Sequence, residues 1–189
     1  IDESIRHAMS KFSHYHLVSN LDAKNRLIKM GEEKKNVFLV GSLGVENLLF
    51  HKRKKNLREI FNFKLKKKKI LICYHSQTNN IDLSRVDLLN LLDALKYFKD
   101  CSLIFTYPNH DLDSEFIIKK IKNFLKRNKN SKLINSLGQE NFYECLKNFD
   151  CIIGNSSAGI IEAPSAKIPT INIGLRQSGR DMAKSIFSI

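Results

Sequence analysis

The chain has 189 residues, of which 42% are hydrophobic and 27% charged, enough to bury one substantial core in a composition ordinary for a globular protein. No apolar run reaches the length needed to cross a bilayer and no charged start precedes an apolar block, so neither a membrane span nor a signal peptide is expected and a cytoplasmic location is. The formal charge of +13 comes mostly from lysine, crowded into Lys52 to Lys55 and Lys64 to Lys69 with Lys34 and Lys35 nearby. Such runs are either solvated surface or a patch for a polyanion, and few aromatics stand among them in a stacking arrangement, so a nucleic-acid partner is the less favoured of the two. Cys73, Cys101, Cys145 and Cys151 form no C-x-x-C pair and have no histidines at zinc spacing, which predicts reduced, buried thiols and no metal site. Because the chain begins at Ile1 and residues 2–16 read as the middle of something, it is expected to be a truncated piece whose shared sites are incomplete.

In chain order, Ser4 to His14 has a helical pattern, His16 to Ser19 a short strand-like run, and Asp22 to Met30 a second helix ending at Gly31. Val37 to Val40 is a compact strand stopped by Gly41, with Ser42 as a natural N-cap for a helix reaching about Leu49. The lysine-rich stretch from His51 to Lys69 holds one amphipathic patch, Leu57, Ile60 and Phe61, and is expected to be a loop with a short helix. Regular alternation follows. Strands are predicted at Ile70 to Tyr74, Ser102 to Tyr107, Lys132 to Ile134, Cys151 to Ile153 and, as the last, Thr170 to Ile173. Between them, Leu88, Leu91, Leu92, Leu95 and Phe98 share one helical face, as do Ile117, Ile118, Ile121, Phe124 and Leu125. Asn141 to Asn148 and Ile160 to Ala163 complete the helices. Short apolar strands alternating with amphipathic helices predict an α/β fold: a three-layer α/β/α Rossmann-like domain around a parallel sheet.

Ligands in such a sheet gather beyond the carboxyl ends of the strands. That rule selects Gly41 to Gly44, Tyr74 to Thr78 and Gly154 to Gly159, each following a strand. In Gly154-Asn155-Ser156-Ser157-Ala158-Gly159-Ile160-Ile161-Glu162-Ala163-Pro164 the small residues let backbone N–H groups approach a phosphate, the serines add hydroxyl donors, and the helix that follows favours an anion. Glu162 stands where a carboxylate can accept both hydroxyls of a ribose. A plain strand-to-helix turn with a solvated Glu162 fits the spacing equally well. A nucleophile elbow is disfavoured, since no histidine follows His110 to complete a triad. His75 follows a strand and can donate to a phosphate or exchange a proton near neutral pH, or it is simply a loop histidine. Arg176 and Arg180 follow Gly174, and arginine's planar fork suits a diphosphate. Convergence of Ser, His and Arg from three loops on one edge is what raises the site above its parts.

Taken together, Asp2-Glu3-Ser4-Ile5-Arg6-His7, Gly41-Ser42-Leu43-Gly44, Tyr107-Pro108-Asn109, Ser136-Leu137-Gly138, Gly154 to Pro164 and Pro169 to Arg180 resemble the hydrolysing, sialic-acid-pathway branch of the UDP-N-acetylglucosamine 2-epimerase family. The resemblance spans essentially the whole chain but only about half of a typical member, lacking its N-terminal domain. It implies the C-terminal half of a two-domain glycosyltransferase-B fold, with residues 1–40 the tail of the first domain and crossover and 41–189 the UDP-binding domain. It also implies elimination of UDP to a glycal followed by hydration to free N-acetylmannosamine, with no cofactor and no metal. Its partners would be the UDP-sugar, UDP, the missing domain and, for the full-length enzyme, a second copy in a homodimer. By the same resemblance, Asp2 matches a catalytic carboxylate and His75 the active-site histidine. Arg6, Gly44, Phe142, Asn155, Ser156, Ser157, Gly159, Glu162 and Arg176 match substrate-binding positions, with Phe142 over the uracil, Glu162 on the ribose, and Ser156, Ser157 and Arg176 on the diphosphate. The family often has His-Pro where this chain has His75-Ser76, a departure that keeps the histidine and alters how its loop is held. A non-hydrolysing epimerase or a nucleotide-sugar glycosyltransferase is the alternative within the fold, and a basic nucleic-acid-binding domain is the alternative outside it.

Overall fold

A computed structural model of the chain describes residues 2–52 and 55–189; the side chains of residues 2 and 3 lie outside that description, as do Arg53 and Lys54 of the first lysine run. The chain divides into two compact units, Ile1–Phe50 and His51–Ile189. The division falls ten residues beyond the 40/41 boundary expected from the sequence, because the helix after Ser42 groups with the first unit.

That first unit contains α1 (Asp2–Phe12), β1 (His16–Val18), α2 (Leu21–Lys29), β2 (Val37–Leu39) and α3 (Leu43–Phe50). The two strands pair in parallel, His16 opposite Val37. Asn20 caps α2 by accepting from Ala23 N–H at 2.8 Å, and the helix stops where Gly31 turns to φ +93°, a left-handed conformation glycine adopts without strain. Glu32, just past that turn, accepts from the Lys11 ammonium at 2.8 Å and lies 3.1 Å from the buried His16 ring, which ties α1, β1 and the end of α2 together.

The second unit contains α4 (Leu57–Phe61), β3 (Lys68–Cys73), α5 (Ile81–Leu95), β4 (Cys101–Thr106), α6 (Ser114–Arg127), β5 (Ser131–Ile134), α7 (Gly138–Asn148), β6 (Cys151–Gly154), α8 (Ala158–Ile161), β7 (Thr170–Asn172) and β8 (Ile186–Ser188). Its six strands are all parallel, in the order β5-β4-β3-β6-β7-β8. Ile70, Ile72, Leu103 and Phe105 alternate onto one face, where they pack with Leu88, Leu91, Leu92 and Leu95 of α5 and Ile117, Ile121 and Phe124 of α6. Leu71 pairs with Ile104 and Ile152 on the opposite face, and all three are essentially without solvent contact. Phe61 of α4 and Cys145 and Leu146 of α7 are buried as deeply, and the Phe61 ring lies 6.0 Å from that of Phe149, just after α7. Both faces of the sheet are thus covered, as a parallel sheet requires.

Two expectations are corrected here. Thr170 to Ile173 does not hold the last strand: β8 adds to the edge beside β7, with Thr170 opposite Ile186. Its short Ile-Phe-Ser run follows a loop with no intervening helix, so neither periodicity nor alternation announced it. Phe98 does not share the α5 face, because α5 ends at Leu95 and the Phe98 side chain, three residues on, is 46% exposed. The short helix in the lysine-rich stretch does form, held by a capping box in which Asn56 and Glu59 satisfy each other's backbone.

The strand order fixes where a ligand can enter. From β3 the chain winds outward through β4 to β5, then returns beside β3 at β6 and winds the other way through β7 to β8. The carboxyl ends of β3 and β6 flank that reversal, the place where ligands collect in an open α/β sheet. Close approach of the two strands depends on Gly154. At φ +138° a Cβ on this residue would stand 2.0 Å from the Cys73 carbonyl oxygen, which no side chain tolerates.

Candidate functional site

At the reversal, the residue after β6 takes charge of the loop after β3. Asn155 is fully buried; its Oδ1 accepts from the His75 N–H and its Nδ2 donates to the His75 carbonyl, both at 2.8 Å. The side-chain amide thereby acts as an extra peptide in the ladder, continuing the β3–β6 pairing past the end of the strands. Its own backbone N–H donates to Cys73 at 3.1 Å. Its carbonyl receives two donors from the loop after β7, Arg176 Nη1 at 3.1 Å and Gln177 Nε2 at 2.8 Å. Three loops that are distant in sequence are joined at one residue.

His75 is 9% exposed, and its Nδ1 accepts from the Asn109 N–H in the loop after β4 at 3.1 Å. With Nδ1 occupied as an acceptor, the neutral ring carries its proton on Nε2. Burial pushes the imidazole down to about 4, with the Arg176 guanidinium adding to the effect and Asp111 opposing it. Near neutral pH the ring is therefore an uncharged Nε2–H donor beside a fixed positive charge. A dianionic group arriving there would meet Arg176 as its cation and His75 as a dipolar donor, and would itself favour protonation of the ring.

Ser156 and Ser157 are half-buried at the start of α8. The helix is one turn long, and the amides of Gly159 and Ile160 already donate to the Ser156 and Ser157 carbonyls at 3.2 and 3.0 Å. A one-turn helix contributes little dipole, so an anion here would be met chiefly by the two hydroxyls and the Ser156 and Ser157 N–H groups, which make no hydrogen bond among the described residues. Gly159 is buried against β7: a Cβ would lie 2.9 Å from Thr170 Cγ2, and the Thr170 hydroxyl donates to the Gly159 carbonyl at 2.8 Å. Glu162 closes α8. Its Oε2 is buried with no hydrogen-bond partner among the described residues, and desolvation raises the carboxyl above its ordinary value. A buried carboxylate oxygen lacking a donor is costly unless a ligand supplies one.

Phe142 is half-buried on α7. Asp2, Arg6 and Gly44 belong to the first unit: Arg6 is exposed on α1, Gly44 is half-buried on α3, and the Asp2 side chain lies outside the described residues. Arg180 is exposed. The second unit thus gathers His75, Asn155, Ser156, Ser157, Glu162 and Arg176 on one sheet edge. It adds Gln177, which sequence reasoning missed: an uncharged residue beside Arg176 carries no chemical signal, yet it is buried with its Oε1 unpartnered. The Ser76 hydroxyl is likewise buried and unpartnered among the described residues. Farther along the same edge, a cavity of about 450 Å³ is lined by Asp111, Asp113, Ser114, Glu115 and Phe116. Its three carboxylates make it a poor place for a diphosphate.

The strand order, the all-parallel pairing and the polar loops joined at the reversal define a Rossmann-like α/β domain of the glycosyltransferase-B kind. The UDP-N-acetylglucosamine 2-epimerase family profile matches residues 1–189, and the chain belongs to that family. Over 190 residues it is 41% identical to the GDP/UDP-N,N'-diacetylbacillosamine 2-epimerase (hydrolyzing) of Campylobacter jejuni, covering 98% of this chain and 49% of that protein. It is 38% identical over 190 residues to polysialic acid biosynthesis protein P7 of Escherichia coli, covering 100% and 48%. Among solved structures, the UDP-GlcNAc 2-epimerase of Methanocaldococcus jannaschii matches with a TM-score of 0.69 at 22% identity, over 94% of this chain and 50% of that one. S. aureus MnaA matches with a TM-score of 0.67 at 18% identity, over 86% and 44%. At these identities the structural likeness is one of fold. The chain spans about half the length of the curated relatives it matches.

Proposed function

We propose that this chain supplies the UDP-binding half of a hydrolysing UDP-sugar 2-epimerase, acting on UDP-N-acetylglucosamine or on a UDP-diacetamido sugar of the kind named for the Campylobacter jejuni relative. The observation that carries this reading is the joining of three loops through Asn155, which brings a neutral imidazole donor, a guanidinium and two serine hydroxyls to the reversal of strand order. The unpartnered Glu162 oxygen on the helix after the serines is the acceptor that ribose hydroxyls require. Phe142 is assigned to the uracil. The M. jannaschii enzyme, whose fold this chain shares, is described in complex with UDP-GlcNAc and UDP.

In this reading the first step breaks the bond between C1 and the UDP oxygen while a base takes the proton from C2, leaving a glycal. Charge builds on the departing diphosphate, and Ser156, Ser157, Arg176 and the His75 Nε2–H meet it with donors already in place. Water then adds across the double bond to give the 2-epimer as a free sugar. The base for C2 is a carboxylate, with Asp2 the candidate this chain contributes, and Arg6 and Gly44 are assigned to substrate binding. Residues 1–40 are read as the tail of the preceding domain and the crossover, and the whole enzyme as a homodimer that handles its substrate in the cytoplasm.

Titrating this chain with UDP while following amide chemical shifts tests the binding half of the proposal. Shifts are expected at 154–162, at Arg176 and at Phe142, and Arg176→Met should weaken binding by about tenfold through loss of a charged hydrogen-bond donor. Shifts confined to other parts of the second unit sink the assignment. For the whole protein, release of free N-acetylmannosamine with UDP is the expected product pattern, whereas a product still attached to UDP identifies a non-hydrolysing enzyme.

A further inference from the structure

We infer that Asn155 is a positioning residue rather than a ligand contact: it locks the His75 loop and the Arg176 loop into one arrangement, with Gln177 as its second tie. The inference rests on the nucleotide-site reading above and assigns Asn155 a different part in it.

The geometry leaves Asn155 nothing to offer a ligand. Its side chain is wholly buried, and both of its polar groups are taken by the backbone of a single residue, His75, at 2.8 Å each. No other side-chain type reproduces this pattern. Aspartate lacks the donor, serine is too short to reach both groups, and leucine leaves a buried N–H and C=O unsatisfied. The amide thus specifies where the His75 backbone sits, and the Asn109 N–H on Nδ1 specifies which way the ring faces.

On the other side, the Asn155 carbonyl takes Arg176 and Gln177 together. A backbone carbonyl with two side-chain donors orients the guanidinium without neutralising it, so Arg176 keeps its charge for an anion. Gln177 is 2% exposed and spends its Nε2 on this bond, which anchors the loop after β7 from inside. The charged groups facing the His75 ring are Arg176 and Asp111. Moving the Asn155 link therefore changes the ring's hydration and its distance from Arg176 at once. Buried cross-links of this kind make the three loops shift as a body or not at all.

The test uses the chain free of ligand, with the His75 ring observed by 13C and 15N NMR. In the wild type the ring should hold the Nε2–H tautomer and titrate at about 4. In Asn155→Ala the loop loses its clamp, water reaches the ring, and the midpoint should move toward the ordinary 6.5, with the tautomer signature averaging. The UDP dissociation constant should rise by about tenfold or more, as expected when a shell that orients ligand-facing groups is removed. A variant that only loses thermal stability, with the His75 titration and tautomer unchanged, overturns the inference. If Asn155→Ala does not fold, Gln177→Met removes one tie and leaves the amide; a smaller shift in the same direction is expected, and an unchanged titration again overturns it. Failure of the wild type to bind UDP would refute the nucleotide reading alone, since the titration arm contains no nucleotide.

Discussion

The two edges of the six-stranded sheet use polar residues in opposite ways. At the carboxyl edge His75, Ser76, Gln77, Asn155 and Gln177 are all buried, and His75, Asn155 and Gln177 each bond backbone atoms of neighbouring loops through their side chains. At the amino edge the polar residues are lysines around the starts of β3, β4 and β6. Lys66 and Lys69 stand 3.7 Å from Asp100 and Asp150, contacts that leave most of each carboxylate in water. Solvent-screened pairs of that sort contribute little, whereas buried side-chain-to-backbone bonds such as those of Asn155 fix a particular arrangement. The difference teaches that lysine, the main source of the +13 charge, supplies the polar residues of the less specified edge. The specified one is built mainly from uncharged amides, a hydroxyl and one neutral imidazole.

The sharpest way to break the contrast is to unseat the carboxyl edge at its base. Gly154→Ala places a Cβ 2.0 Å from the Cys73 carbonyl oxygen at a backbone φ of +138°. Neither strand can retreat without opening the β3–β6 ladder, so a loss of roughly 4 kcal/mol or more is expected in urea unfolding. A loss below about 1 kcal/mol would mean that this edge is as pliable as the lysine edge.

Acid should act next. Because the buried His75 ring titrates at about 4 against an ordinary 6.5, the unfolded chain binds a proton in that interval that the native chain refuses. Stability is full above about pH 6.5, falls as the pH drops toward 4, and levels off below it. The loss attributable to this group is about 3 kcal/mol. Comparing urea unfolding of wild type and His75→Gln at pH 7, 5.5 and 4 isolates it: the variant should lack this part of the slope, and parallel curves would place the ring in water.

Much of this frame was legible beforehand. Leu88, Leu91, Leu92 and Leu95 announced α5, the Gly154-to-Glu162 run announced the strand-to-helix loop, and the rule of carboxyl edges picked out the loops after β3 and β6. These signals are local: a period, a cap, a glycine. What stayed hidden is non-local. The pairing of Asn155 with the His75 backbone spans 80 residues, and the buried pair of His51 with Glu144, 2.9 Å apart, spans 93. No spacing rule connects such partners. An asparagine matched to a substrate-binding position and a glutamine given no role of its own are joined to the His75 loop only by the topology that brings three loops together. β8 escaped for a related reason, since its three residues are held by pairing with β7 rather than by any pattern of their own.

Glu162 separates ligand binding from stability within the carboxyl edge. Desolvation raises its carboxyl, so the group favours folding most below the unfolded value of 4.5 and costs stability as it ionises at higher pH. Glu162→Gln removes that cost, and the fold at pH 7 should be as stable as wild type or more so, with the advantage gone below about pH 4. UDP should nonetheless bind about tenfold more weakly, because ribose hydroxyls lose a charged acceptor. Calorimetry of both quantities decides it, and a variant that is less stable yet binds UDP normally would make Glu162 a structural residue.

The smallest effect is expected from the opposite edge, and its smallness is informative. Lys67, Lys99 and Lys129 are exposed beside the starts of β3, β4 and β5. A six-residue strand such as β3 is roughly 20 Å long, which puts these ammonium groups more than two Debye lengths from the carboxyl edge at physiological salt. Replacing all three with glutamine should change folding stability by less than about 0.5 kcal/mol and UDP affinity by less than about twofold. A larger loss of UDP affinity that disappears at about 0.5 M salt would show that the lysines steer the anion from a distance. The two edges would then be parts of one electrostatic device, with charge gathering the ligand at long range and the Asn155 knot holding it at short range.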